Sequence, residues 1–125
     1  AEELSGDIKA VIPLAPYCCE LGQSFEGDLN GVSVPTLIVA TAEDTIAPPD
    51  THARLLYDSI NDSTPRVYLE FATGNHMLAT NTGPDLQTLG TYIYSFLKSN
   101  FTGESKYADF IDGEGEEQFS SYETN

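Results

Sequence analysis

Short apolar segments that favour β-structure alternate along this chain with segments of helical spacing. Residues 8–14, 35–41 and 66–71 are the three apolar segments, and 35–41 (PTLIVAT) favours β-structure almost throughout. A continuous apolar run of this kind is typical of a strand that is covered on both faces, as in a parallel sheet. We therefore predict about three buried parallel strands.

Two helices are predicted between and after these strands. Residues 51–60 carry apolar side chains at helical spacing, and Pro84-Asp85 opens a longer amphipathic helix. In the longer helix the apolar side chains recur every three or four residues, at Leu86, Leu89, Ile93, Phe96 and Leu97. The order strand, helix, strand, helix predicts right-handed crossover units and an α/β fold with flanking helices.

The segment 103–125 has a different composition. It contains seven acidic residues and one lysine, and its only helical candidate is the short stretch 106–111. We expect this acidic C-terminal tail to wrap the surface or to form a partly mobile end. Because three parallel strands with long helices form a poor domain on their own, we expect residues 1–125 to be the C-terminal portion of a larger α/β domain.

The charge balance restricts the partners of the chain. Its 125 residues include 20 acidic and 5 basic side chains, so that the formal net charge is -15. A surface of this sign repels nucleic acids and anionic membranes, which attract basic patches. No apolar run approaches the roughly 20 residues that cross a bilayer. We predict neither a nucleic-acid partner nor a membrane partner.

Cys18 and Cys19 are adjacent, and neighbouring cysteines rarely bond to each other because the short loop strains the disulfide geometry. Their spacing fits no metal site. Two inert or partly buried thiols are expected. A strained vicinal disulfide and a bond to a cysteine elsewhere remain the alternatives.

Two polar residues follow the second and third predicted strands, at the edge where α/β enzymes gather their sites. Asp44 comes shortly after residues 35–41, and His76 follows residues 66–71, with Gly74 permitting a sharp turn before it. A buried carboxylate can orient a histidine ring, and the chain order Asp then His matches the last two members of an α/β-hydrolase triad. Position alone leaves open that both are ordinary loop residues.

Longer motifs surround these two residues. They are Glu43-Asp44-Thr45-Ile46-Ala47-Pro48, Gly74-Asn75-His76 after Tyr68-Leu69-Glu70-Phe71, and Lys106-Tyr107-Ala108-Asp109-Phe110. With them the chain resembles the bacterial cutinases and polyester hydrolases over nearly its whole length. The resemblance implies a secreted, monomeric serine esterase of the α/β-hydrolase fold that cleaves polyesters or long-chain carboxyl esters without a cofactor. Asp44 matches the triad acid and His76 the triad base.

The resemblance also implies a set of substrate contacts. Tyr17 stands where the family has an aromatic residue that stacks on the substrate, Ile46 matches an apolar wall of the cleft, and Met77 occupies a position that shapes cleft width. Ordinary loop packing is the alternative for all three. Ala42 and Ala72 occupy two positions where some relatives have cation-binding carboxylates, so no metal site is expected. For His52 we expect a surface role.

The nucleophile of such a triad is not found in these residues. The serine of this fold lies in a G-x-S-x-G turn, and the nearest string, Gly22-Gln23-Ser24-Phe25-Glu26-Gly27, has its second glycine one residue too late. We expect Ser24 to be a plain loop residue, the nucleophile to lie upstream and this chain alone to be inactive. The alternatives are a non-catalytic fragment or pseudo-enzyme, and another α/β-hydrolase, such as a dienelactone-hydrolase-like enzyme, that acts on small soluble esters.

Overall fold

A computed structural model describes residues 6–18, 29–80 and 84–125. The elements in chain order are β1 (Thr36–Thr41), a 3-10 helix (Pro49–Thr51), α1 (Ala53–Ser59), β2 (Arg66–Phe71), α2 (Pro84–Phe101), α3 (Ser105–Ile111) and β3 (Phe119–Thr124). The predicted strands at 35–41 and 66–71 and both predicted helices are confirmed. In the acidic tail, α3 confirms the helical candidate at 106–111, and β3 is a further element.

The sheet has the order β1-β2-β3. β1 and β2 run parallel with Thr36 opposite Arg66, and β3 runs antiparallel to β2. The helices flank this mixed sheet, which is consistent with part of an α/β-hydrolase fold. Because β1 and β2 are parallel, their carboxyl ends lie at the same edge, and the loops that follow them carry Asp44 and His76.

The first predicted strand, at 8–14, is only partly formed. The segment pairs in parallel with β1 through two isolated bridges, Val11 with Thr36 and Leu14 with Val39. The amide of Leu37 donates to Val11 O (3.0 Å) and the amide of Val39 donates to Pro13 O (3.0 Å). In a parallel ladder the amide of residue 13 would bond next, but a proline has no N–H to donate. Pro13 therefore interrupts the ladder that the apolar pattern predicts.

The expectation that the tail only wraps the surface is wrong for residues 119–124. These residues form the edge strand β3, and a bulge opposite Glu70 and Phe71 pairs Glu70 with Ser121 and Phe71 with Phe119. The extra residue lets Phe119 and Tyr122, which are three positions apart, pack on the same side of the sheet. A spacing of three is not strand alternation, so the sequence pattern did not indicate a strand there.

The core lies on both faces of the sheet because alternate strand residues point to opposite sides. On one face the buried side chains of the strands pack against α2 and α3, and the main contributors are Leu37, Val39, Val67, Leu69, Phe71, Leu89, Tyr92, Phe96 and Ile111. On the other face Ile38, Ala40 and Tyr68 pack against Ala53, Tyr57 and Ile60, at and after α1. β1 is buried along its whole length, which explains its continuous apolar sequence.

Hydrogen bonds hold β3 against β2 at both ends. Those at one end also fix β2 at the point where the loop of His76 begins. At the site end, the amide of Ala72 donates to Gln118 O at 2.8 Å. At the other end, the Asn125 side chain accepts from the amide of Arg66 (2.9 Å) and donates to Asp62 O (2.7 Å) and Thr64 O (2.9 Å).

In the part of the chain that the structure describes, no helix has the length and apolar character to cross a membrane.

Candidate active site

Asp44 lies in the turn that leaves the carboxyl end of β1. Asp44 is 3% exposed. One of its carboxylate oxygens, Oδ1, accepts the amide hydrogens of Ile46 (2.9 Å) and Ala47 (2.8 Å). Aspartate favours such turns because its short side chain can bond to the backbone two and three residues ahead. These two bonds fix the orientation of the carboxylate and leave Oδ2 available for another partner.

That partner is His76. Its Nδ1 lies 2.8 Å from Asp44 Oδ2, and the His76 side chain is 28% exposed whereas the Asp44 side chain is 1% exposed. An ionised carboxylate can only accept a hydrogen bond, so Nδ1 carries the hydrogen and Nε2 is left as the acceptor. The pair therefore presents a basic nitrogen at a partly exposed ring edge, backed by a buried negative charge.

The ionisation state of Asp44 follows from its contacts. Burial by itself raises the pKa of this carboxyl group, but the hydrogen bonds from Ala47 N–H, the His76 ring and Ile46 N–H outweigh burial and set the pKa below its ordinary value. The carboxylate is consequently charged at neutral pH. It can orient the imidazole and stabilise the imidazolium that forms when Nε2 accepts a proton.

The loop before His76 contains a backbone turn that glycine makes possible. Gly74 has a φ of +113°, a conformation that other residues adopt only with strain. Beyond it, the Asn75 side chain accepts the amide hydrogen of Met77 at 2.9 Å, and Asn75 O accepts that of Leu78 at 3.1 Å. The turn and these local bonds together set the direction in which the His76 side chain leaves the loop.

Replacing Gly74 with alanine should lower the free energy of unfolding by about 1–3 kcal/mol, because alanine would be strained at this positive φ. Space is not the cause, since the new Cβ would meet the Thr41 Cγ2 atom at 3.4 Å, an ordinary contact. Gly90, exposed on α2 with nothing within 4 Å of its Cβ position, is the matched control. Gly90→Ala should raise stability by about 1 kcal/mol. Denaturant titration measures both changes, and a stabilising Gly74→Ala would contradict the strained turn.

The three apolar residues predicted to contact substrate are all exposed. Tyr17 is 53%, Ile46 57% and Met77 53% exposed. Ile46 lies two residues after Asp44, and Met77 directly follows His76, so the structure brings both next to the Asp44–His76 pair. The Tyr17 ring stacks on the His52 ring, with centroids 4.5 Å apart and planes inclined by 26°. Their roles as substrate contacts stay predictions.

The expected surface role of His52 is wrong, because the residue is 1% exposed. Tyr17 covers its ring, and its Nδ1 accepts the amide hydrogen of Cys18 at 3.2 Å. The Cys18 thiol, which is partly buried, lies 3.7 Å from the same nitrogen. No local pattern indicates this burial, since the residues that cover His52 are more than 30 positions away in the chain. Cys19 and Ser24 lie outside the described residues.

No cluster of three or more histidine, cysteine or acidic side chains that could hold a metal ion occurs within residues 6–18, 29–80 and 84–125. Ala42 and Ala72, at the two positions singled out for cation binding, are both exposed at the carboxyl ends of β1 and β2. A methyl group supplies no ligand atom. The expectation of no metal site therefore stays a prediction that rests on these two side chains.

A buried aspartate after one parallel strand, bonded to a histidine after the next, has the arrangement that the acid and base of an α/β-hydrolase triad adopt. Comparison with known proteins identifies the family within the α/β-hydrolases to which the chain belongs. A family model described as PET hydrolase-like matches residues 1–125, and the chain belongs to this family.

Similarities to individual proteins support the same family. The chain is 35% identical over 105 residues to "Cutinase est1" of Thermobifida alba, with 84% of this chain and 32% of the relative covered. It is 34% identical over 107 residues to "Cutinase" of Thermobifida fusca (strain YX), covering 84% and 32%. It is 36% identical over 104 residues to "Bis(hydroxyethyl) terephthalate hydrolase" of Streptomyces coelicolor, covering 83% and 31%. The chain thus spans about a third of the length of these relatives.

Proposed function

We propose that the complete protein is a serine esterase that hydrolyses the carboxyl ester bonds of polyesters. The observation that carries this proposal is the 2.8 Å hydrogen bond between His76 Nδ1 and the buried Asp44 carboxylate. Membership of the PET hydrolase-like family and the names of the relatives, cutinases and a terephthalate ester hydrolase, support the same reaction. The nucleophile is a serine outside these 125 residues, which contain no G-x-S-x-G motif, so this chain alone is inactive.

The reaction has two halves, and His76 acts in both. In the first half, Nε2 takes the proton of the serine hydroxyl while the serine oxygen attacks the ester carbon, and the imidazolium then gives that proton to the leaving alcohol. In the second half, Nε2 takes a proton from water as the water oxygen attacks the acyl-enzyme. The carboxylic acid leaves and the serine regains its proton. Asp44 keeps the ring oriented and stays ionised throughout.

The exposed apolar side chains fit the proposed substrate. Ile46 and Met77 are exposed apolar neighbours of Asp44 and His76 in the sequence, Tyr17 is exposed as well, and a polyester segment has apolar stretches on both sides of each ester bond. Contacts of this kind bind substrate mainly through the burial of apolar area. A polymer cannot enter a cell, so the proposal also places the enzyme outside the cell as a secreted protein.

Activity on a polyester tests the proposal directly. The complete protein should release soluble acid and alcohol products from an aromatic or aliphatic polyester film. A triple variant, Tyr17→Ser, Ile46→Ser and Met77→Ser, should lose film hydrolysis to a greater extent than hydrolysis of a short soluble ester, because only the polymer needs the extended apolar contact. An enzyme that turns over small soluble esters and leaves polyester film untouched would instead be a hydrolase of the dienelactone-hydrolase type. No ester turnover at all would indicate a non-catalytic module.

A further inference from the structure

Two adjacent residues of the loop after β1 hold the loop after β2. Asp44 Oδ2 accepts the Nδ1 hydrogen of His76 at 2.8 Å, and Glu43 Oε2 accepts the amide hydrogen of Gly74 at 3.1 Å. The residues that make the two contacts are adjacent on the first loop (43 and 44) and two positions apart on the second (74 and 76). Only the contact to His76 has a part in the proposed reaction.

We propose that Glu43 is a positioning residue, which fixes the Gly74 turn so that the His76 ring meets Asp44. The proposal rests on the proposed esterase function for its effect on turnover. It does not rest on that function for its effect on the His76–Asp44 hydrogen bond, which can be observed without any reaction.

The position of Glu43 follows from the sheet. The ladder between β1 and β2 continues one step beyond the strands, because the amide of Ala42 donates to Phe71 O at 2.8 Å. Glu43 directly follows Ala42 in the loop after β1, and Gly74 lies three residues after Phe71 in the loop after β2. The Glu43 side chain, which is exposed, spans the gap that opens where the two strands separate.

The loop of His76 needs an external attachment at Gly74. The bonds made by Asn75, to the amides of Met77 and Leu78, are internal to the loop and leave its direction relative to β1 unset. Gly74 adopts a positive φ of +113° and has few intrinsic restraints, since it lacks a side chain. The hydrogen bond from its amide to the Glu43 side-chain oxygen supplies that attachment and holds the turn in this conformation.

Hydrogen bonding and charge can be separated at this position. Glu43→Gln keeps the length of the side chain and an oxygen that accepts the Gly74 amide, but removes the charge. Glu43→Asp keeps the charge but is shorter by one methylene group, so it loses the bond. Glu43→Ala loses both, and Asp50→Ala removes an exposed carboxylate from the 3-10 helix as the matched control.

The experiment measures kcat and KM on a short soluble ester, and the low-field NMR resonance of the His76 Nδ1 hydrogen, in the complete protein. Glu43→Ala and Glu43→Asp should lower kcat by about tenfold to a hundredfold with KM nearly unchanged, because a small displacement of a catalytic group has effects of this size. Both should weaken or broaden the Nδ1 hydrogen signal. Glu43→Gln should restore kcat and the signal, and Asp50→Ala should match the wild type.

Two results would overturn the proposal. Wild-type kcat and an unchanged Nδ1 signal in Glu43→Ala and Glu43→Asp would show that the contact positions nothing. A Glu43→Gln variant as impaired as Glu43→Ala would show that the charge matters and the bond to Gly74 does not. If the wild-type protein hydrolyses no ester, the proposed function fails, and the Nδ1 signal across the same variants still decides the role of Glu43.

Discussion

His76→Ala in the complete protein should lower kcat for ester hydrolysis by about 10⁴- to 10⁶-fold, because it removes the ring nitrogen proposed to take the proton of the nucleophile. The substitution removes the hydrogen bond from His76 Nδ1 to Asp44 Oδ2. Asp44 keeps its hydrogen bonds from the amides of Ile46 and Ala47. The remaining activity would come from substrate binding and transition-state contacts elsewhere. Steady-state kinetics on a soluble ester measures the change.

The matched control for this variant is Thr73→Ala, an exposed position of the same loop. It should retain wild-type kcat. Thr73→Ala should unfold near the wild-type temperature, and His76→Ala should unfold somewhat below it, because the buried Asp44 carboxylate loses one hydrogen-bond donor. If His76→Ala retained most of the activity while folding normally, His76 would be excluded as the base.

Asp44→Asn should lower kcat by about 10⁴-fold through the tautomer of His76. The amides of Ile46 and Ala47 both point at Oδ1, so the oxygen of the asparagine amide stays there and its NH₂ group takes the place of Oδ2. That NH₂ group faces His76 Nδ1, which must then accept a hydrogen bond. The ring hydrogen moves to Nε2, and this nitrogen can no longer take the proton of the serine.

This prediction depends on the direction of one hydrogen bond, and NMR of the ring nitrogens can follow it. Wild-type His76 should carry its hydrogen on Nδ1, and Asp44→Asn should move it to Nε2 with the fold retained. Asp109→Asn, an exposed change on α3, should alter neither the tautomer nor kcat. Unchanged turnover in Asp44→Asn would show that Asp44 does not orient the ring during the reaction.

Much of the site could be predicted from the sequence because it depends on local signals. β1 has a nearly continuous apolar sequence and β2 a mostly apolar one, and polar residues that follow such strands meet at one edge of a parallel sheet. Asp44 and His76 are such residues, and the structure places them 2.8 Å apart. The glycine before His76 adopts the positive φ that its position suggested.

The features that escaped prediction depend on distant contacts. β3 is an edge strand in an acidic segment, and its two core residues are brought to one face by a bulge that no local pattern indicates. The segment 8–14 is the exception, because its cause is local: Pro13 lacks the N–H that the ladder needs. His52 is buried by Tyr17, and Glu43 bonds to Gly74 more than 30 residues away. Such pairings are fixed by the packing of the whole sheet.

Asp44 and His76 are proposed to activate a serine nucleophile, and chemical labelling of that serine is the sharpest test of this role. The complete protein would be treated with a phosphonate ester that reacts with activated serines, and adduct formation would be followed by mass spectrometry with peptide mapping. We expect one labelled serine outside these 125 residues, with labelling slowed by orders of magnitude in Asp44→Asn and His76→Ala. Labelling at the same rate in the wild type and both variants, or no labelled serine in an active wild-type protein, would contradict this role.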